Sequence, residues 1–251
     1  MRRVTVSMAL MVVLAGTVFC GCEKPQKAAP SPSPYKIEEE LLGLFHEPVQ
    51  PPVVSKDGCH FAYVTRKGDK ELVVVDGREG PECDAIGRWN LRFSPDGRRV
   101  AYAARKGDKW LVVVDTPSPK GSGEGGGKPA REYDDIGQGT PIFSPDGERL
   151  AYLAEKGDKW LVVVDGKPGL EYDGIGEGTL IFSPDGKRLG YLAKKGNKWL
   201  VVVDAQEGPE YDRIIGDRLT FRVDGVLEYL AIKKAGKKKT LYRVKHVPAA
   251  K

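Results

Sequence analysis

The stretch Phe143–Gly166 reads "FSPDGERLAYLAEKGDKWLVVVDG". It returns from Phe182 as "FSPDGKRLGYLAKKGNKWLVVVDA", and stands earlier, from Phe93, as "FSPDGRRVAYAARKGDKWLVVVDT". Its anchor, S-x-D-G or a relic of it, occurs at Asp57, Asp96, Asp146, Asp185 and Asp224, with intervals of 39, 50, 39 and 39 residues. A fixed period of this length is the signature of a repeat architecture. The one long interval has a visible cause, the segment "TPSPKGSGEGGGKPAR" (116–131) where the next unit has "GKPGL". Its Gly/Ser/Pro-rich composition reads as a surface loop inserted into the same 39-residue unit.

Each unit is punctuated in the same way. "SPDG" places Pro and Gly where a tight turn needs them. "RLAYLAEK" and "KWLVVVD", joined by the turn "KGDK", are two strands rich in β-branched and aromatic residues. "LEYDGI" reads as a shorter strand, and "TLIFS" as the strand that enters the next unit. The central strands are apolar at nearly every position, whereas a sheet with one wet face alternates. Each sheet is therefore expected to lie between two others. Four-stranded sheets stacked face to face close into a β-propeller. The expectation is an all-β propeller of five blades, each of four antiparallel strands. The repeats fall near 53–91, 92–141, 142–180, 181–219 and 220–248. The last unit ends without an outer strand, and part of 37–48 is expected to supply it, with a short capping helix over 37–45 as the alternative.

The repeated "FSPDGKRLGYLA", followed by a hairpin and an apolar strand ending in Asp, resembles the WD-repeat-like blades of TolB-type propellers. Similar blades occur in tricorn protease and in prolyl-oligopeptidase-like peptidases. The resemblance covers about residues 50–245 and implies fold more than activity, because function lives in sites grafted on folds. A TolB-type chain would be a periplasmic protein-docking propeller. This sequence departs from that pattern in having fewer blades and no separate N-terminal domain.

Residues 1–21 stand apart from the repeats. Arg2 and Arg3 precede the apolar run "MALMVVLAGTVF" (8–19), followed by "CGC". The run is shorter than the roughly 20 residues of a spanning helix and reads as a secretory signal. A cysteine in place of a small-residue cleavage site resembles a bacterial lipoprotein signal. Cys22, after Gly21, is the expected lipidation site, ahead of Cys20, after Phe19. Proline-rich residues 22–36 read as a tether, and 37–251 as the propeller. The expectation is an exported monomer held at a membrane by its N-terminal lipid, facing the periplasm or the cell surface.

The totals exclude several classes. The chain carries 40 basic and 35 acidic residues, a net charge of +5, without the concentrated basic face of a nucleic-acid-binding domain. There is no G-x-S-x-G nucleophile elbow. The three histidines (His46, His60, His246) and the cysteines Cys59 and Cys83 lack zinc-site spacing. No catalytic residue, metal or cofactor is expected. The aspartates that end "VVVD" (Asp76, Asp115, Asp165, Asp204) and those of the E-Y-D positions (Asp84, Asp134, Asp173, Asp212) recur identically. A catalytic acid and base need environments that drive their pKa values apart. Identical positions argue instead for turn caps.

The repeats disagree just before each S-x-D-G, in the connection entering the innermost strand. The five connections are Val49–Pro51, Arg88–Asn90, Gln138–Thr140, Glu177–Thr179 and Gly216–Arg218. In a propeller these gather around one mouth of the central channel. The candidate binding residues are therefore Arg88, Trp89, Asn90, Gln138, Thr140, Glu177, Thr179, Asp217 and Arg218. Trp89 stands out because Trp110, Trp160 and Trp199 share one strand position. A lone aromatic beside Arg and Asn suits a sugar ring or a protein partner. The function expected is a non-enzymatic, envelope-associated binding or scaffold propeller that takes a protein or glycan at the channel mouth. The competing readings are a glycan hydrolase using acids such as Glu177 and Asp217, and a lectin with one pocket per blade.

Overall fold

A computed structural model describes residues 47–116 and 131–248. The signal, the tether, both candidate lipidation cysteines and most of the insertion lie outside the described residues. What is described contains no helix and five consecutive antiparallel sheets, the blades of a β-propeller.

The second strands of the blades are Phe61–Lys67, Val100–Lys106, Leu150–Lys156, Leu189–Lys195 and Leu227–Ala235. Each pairs through a two-residue turn with a third strand: Lys70–Val75, Lys109–Asp115, Lys159–Val164, Lys198–Val203 and Lys238–His246. In blades 1 to 4 burial falls on both faces of these hairpins, as the unbroken apolar runs require. One cluster fills each of the four gaps between consecutive blades. Tyr152, Leu161 and Val163 of blade 3 meet Ala101, Ala103 and Val112 of blade 2. Leu153 and Val162 on the opposite face meet Tyr191, Leu200 and Val202 of blade 4. Fully burying one such side chain is worth about 1.5–3 kcal/mol, which makes these gaps the main source of stability.

The outer edge and the crossover differ from the expected strand limits. "LEYDGI" is not one strand. Tyr133, Tyr172 and Tyr211 stay with their own blade, bridging to the half-buried Trp110, Trp160 and Trp199. The following Asp already pairs with the next blade, as in Asp134 N–H donating to Glu155 O at 2.9 Å. The blades thus change a few residues ahead of the sequence-derived repeat limits.

The innermost strand is also divided. In blade 3 it consists of Asp135–Ile136 and Ile142–Phe143, both paired to the one strand Leu150–Lys156. Blade 4 does the same with Gly174–Ile175 and Ile181–Phe182, and blade 2 with Ala85–Ile86 and Arg92–Phe93. In blade 5 the strand Arg213–Phe221 shifts register between Ile215 and Thr220. In blade 1, Pro48 bridges to Thr65 ahead of Val53–Val54. The variable segments are therefore excursions inside the innermost strand rather than connections that enter it. Blades draw together at this edge, where Val53–Val54 approaches Arg92–Phe93.

At the ends, one expectation lies beyond what the structure describes and one changes. The closing strand expected from 37–48 lies mostly outside the described residues, and Pro48 at its end belongs to blade 1. The last blade is not covered equally on both faces. Leu227, Tyr229 and Ala231 are buried against blade 4. On the opposite face Glu228 pairs with Arg243 and Lys245 at 3.2 and 3.7 Å, and Leu230 and Ile215 are exposed. The alternation in "LEYLAIKK" is that of a sheet with a wet face.

Ionic clasps explain why the blades are copied so closely. Arg149 donates to Asp165 of its own blade (3.1 Å), reaches Lys187 O of the next (2.9 Å) and lies over the Phe182 ring. Arg188 repeats this with Asp204, Gly225 O and Phe221. His60 takes the position in blade 1, with its Nδ1 2.7 Å from Asp76 and its ring stacked on Phe93. The glycine of S-P-D-G fits twice over. Gly147 and Gly186 have positive φ, and a Cβ on either would press on Asp96 or Asp146 of the preceding blade.

Candidate functional site

The aspartates recurring in every blade are committed to the frame. Asp76, Asp165 and Asp204 accept the backbone N–H groups of Phe61, Leu150 and Leu189 at 2.9 Å. Asp84, Asp134, Asp173 and Asp212 staple neighbouring blades. Each accepts Lys70, Lys109, Lys159 or Lys198 from one hairpin, and a backbone N–H of Gly107, Gly157, Gly196 or Lys234 from the next. The lysine hydrogen bond, then the backbone N–H, holds each carboxyl below the usual aspartate range. The first lysine of the hairpin is neutralised too, by Glu79, Glu171 or Glu207 in blades 1, 3 and 4. Among the described residues no three or more His, Cys, Asp or Glu gather as a metal site. Cys59 is exposed and Cys83 buried, and they are not bridged.

The excursions separate into buried and exposed parts. In blades 3 and 4 each is a turn, with Thr140 N–H directed at Gly137 O (3.4 Å) and Thr179 N–H at Gly176 O (3.2 Å). The buried hydroxyls of Thr140 and Thr179 donate to the same carbonyls at 2.7 Å and accept Leu153 N–H and Leu192 N–H at 3.4 and 3.1 Å. These two candidates are therefore braces. The third residue of each turn, Gly139 or Gly178, has positive φ, which glycine tolerates. Gln138 and Glu177 are exposed at the turns, as is Arg218 in blade 5. Asp217 lies on the blade 5 inner strand beside Arg218, and its side chain is outside the described set.

Blade 2 breaks this pattern twice within two residues. Trp89 stands where its siblings have glycine and is held at φ 62°, with 71% of its surface exposed. A bulky residue in that region is a backbone outlier. Asn90 stands where its siblings have threonine. It is 5% exposed, and its Oδ1 finds no hydrogen-bond partner among the described residues. An orphaned buried oxygen of this kind costs about 1–3 kcal/mol. Blade 1 helps hold the strained turn, since Trp89 N–H donates to Gln50 Oε1 at 3.2 Å and Gln50 Nε2 donates to Ile86 O at 3.4 Å.

The strand leaving this turn carries residues that the comparison of loops alone passes over. Arg92 is exposed where blades 3 and 4 have Ile142 and Ile181. It lines a pocket of about 530 Å³ between the innermost strands of blades 1 and 2. Val53, Val54, Leu91, Phe93, Pro95 and Pro145 wall the pocket; Lys56 and Arg92 are its charged groups, and no carboxylate lines it. Arg88, Arg92 and Lys56 have no ion-pair partner among the described residues. The same column of the repeat alignment, read three residues further, would have found Arg92. A second pocket, about 440 Å³ between blades 3 and 4, includes Asp165 and Asp204, both already paired with arginines.

No family model matches the sequence, and no curated protein does. Solved structures similar to it include TolB from Acinetobacter baumannii, at 14% identity and a TM-score of 0.43 over 77% of this chain and 51% of TolB. The β-propeller domain of the Trilobed protease from Pyrococcus furiosus aligns at 13% identity and TM-score 0.42, over 78% and 68% of the two chains. The Pyrococcus horikoshii acylaminoacyl peptidase aligns at 13% and 0.40, over 77% and 37%. The chain spans about half the length of TolB.

Proposed function

We propose that this propeller is a non-enzymatic binding module of the cell envelope, and that blade 2 is its contact surface. The observation that carries the reading is the double local cost at Trp89 and Asn90, which blades 3 and 4 avoid with glycine and threonine. Sequences break local rules chiefly where function demands it. A strained, exposed indole is a rigid anchor that pays little entropy on binding.

The chemistry beside Trp89 selects the partner. Arg92 and Lys56 line an apolar pocket without a carboxylate, and Arg88 is exposed on the turn beside Trp89. A neutral sugar would need acceptors for its hydroxyls; a protein segment carrying acidic and apolar side chains finds both complements here. The repeated aspartates, spent on staples and caps, do not favour one lectin pocket per blade. The envelope location rests on the signal-like N-terminus.

An array of linear peptides of graded charge tests the reading. Peptides pairing Asp or Glu with Leu or Phe are expected to bind the parent and to lose at least about tenfold with Arg92→Glu, since a charge-assisted contact is worth about 1.5–3 kcal/mol. Binding independent of peptide charge, or unchanged in Arg92→Glu, contradicts it.

A further inference from the structure

The hairpin of the last blade departs from the rule the other blades obey. In blades 1 to 4 the second lysine of each hairpin meets a crossover aspartate, and in blades 1, 3 and 4 the first meets a glutamate of the outer strand. The corresponding tip, "KKAGKKK", holds Lys233, Lys234, Lys237, Lys238 and Lys239. All are exposed, and among the described residues none of their ammonium groups pairs with a carboxylate; the Lys234 backbone N–H bonds Asp212, which already holds the Lys198 ammonium. The third strand continues with exposed Leu241 (60% accessible) and Tyr242, and Lys233 lies 5.1 Å over Tyr211. One corner of the molecule thus joins an unbalanced cationic tip to exposed apolar side chains.

We propose that this tip is a protein-based contact with a membrane, docking on the headgroups of an anionic lipid bilayer. The cations are all lysines, which are hydrated point charges on flexible stems. Protein interfaces deplete lysine and favour arginine, whose planar fork fixes geometry. A diffuse anionic surface requires no such fork, and clusters of four to eight basic residues recognise one. Leu241, on the same face of the sheet as exposed Leu230, supplies the shallow apolar contact that accompanies such docking. The contact is independent of the binding surface on blade 2.

The test uses the full chain carrying Cys20→Ser and Cys22→Ser, so that no lipid is attached, in flotation with vesicles. The vesicles are phosphatidylcholine alone or phosphatidylcholine with phosphatidylglycerol. Any apolar contribution from the N-terminal run is common to both. Each lysine near an anionic surface raises partitioning by about fivefold. The triple variant Lys237→Glu/Lys238→Glu/Lys239→Glu is therefore expected to lower binding to the anionic vesicles by at least about 100-fold, towards the neutral-vesicle value. Salt at 0.5 M is expected to do the same to the parent, because the attraction is screened within about a Debye length. An equal charge change elsewhere, Arg98→Glu/Lys167→Glu/Lys187→Glu, is expected to leave most of the binding intact. Equal binding to both vesicle types overturns the proposal. So does a triple variant that binds like the parent, as edge-protecting lysines would, or a control variant that loses as much.

Discussion

Replacing Asn90 by threonine should make the protein more stable, an unusual outcome for a buried substitution. In blades 3 and 4 the threonine hydroxyl donates to the carbonyl three residues back and accepts a strand N–H. Asn90 leaves its buried Oδ1 unpaired. Removing that orphan and restoring the hydroxyl's bonds is worth about 1–3 kcal/mol. The companion test is at Trp89, whose φ of 62° belongs to the left-handed region. A Cβ there costs about 1–2 kcal/mol, against about 0.5–1 kcal/mol of extra chain entropy lost by glycine. Trp89→Gly should therefore be about 0.5–1 kcal/mol more stable than Trp89→Ala, the reverse of their order at an ordinary strand position. Both lose the indole, so the comparison isolates the backbone. Urea unfolding with a shared m-value reads both differences. A neutral or destabilising Asn90→Thr, together with Trp89→Ala at least as stable as Trp89→Gly, would refute the claim that this turn carries a cost its siblings lack.

Other outcomes follow from the frame. Gly190 packs where a Cβ would come within 2.6 Å of Leu227, so Gly190→Ala should destabilise by about 1–3 kcal/mol in the same assay. Acid should weaken the molecule in two stages. Burial, with Arg188 nearby, lowers the His246 pKa below 6.5, so the folded state resists its protonation and stability declines as pH falls through that value. The crossover aspartates, and Asp96, Asp146 and Asp185 bonded to serine hydroxyls, are lowered below 3.8. Their contribution is present above that value and is lost as pH falls through the folded pKa values. Thermal melts from pH 8 to pH 2 should show a shallow slope near neutrality, removed in His246→Gln, and a steeper one below about pH 4. A flat profile over that range counts against both assignments.

The fold was legible because turn chemistry and apolar strands repeat, and hairpins such as Leu150–Val164 form from adjacent residues. The divided innermost strand was not. Its halves, such as Ala85–Ile86 and Arg92–Phe93, are two residues long and too short to show a period. The staples escaped notice because Lys109 and Asp134 are 25 residues apart, so only the tertiary stack brings them together. The wet face of blade 5 was readable in the alternation of "LEYLAIKK", which the near-identity of the earlier units obscured. At the candidate site, disagreement among repeats singled out the variable turns as a group. It could not separate Thr140 and Thr179, whose hydroxyls close the backbone, from Trp89 and Arg88, which face outward.

The most direct measurement places the same photoreactive amino acid at three equivalent turn positions, replacing Trp89, Gly139 or Gly178, in cells producing the full chain. These positions share one backbone geometry and differ in the blade that carries them. If blade 2 is the contact surface, position 89 captures a protein partner, the capture disappears with Arg92→Glu, and positions 139 and 178 capture little. Equal capture at all three positions, capture of a glycan, or none at position 89 alone would contradict the account.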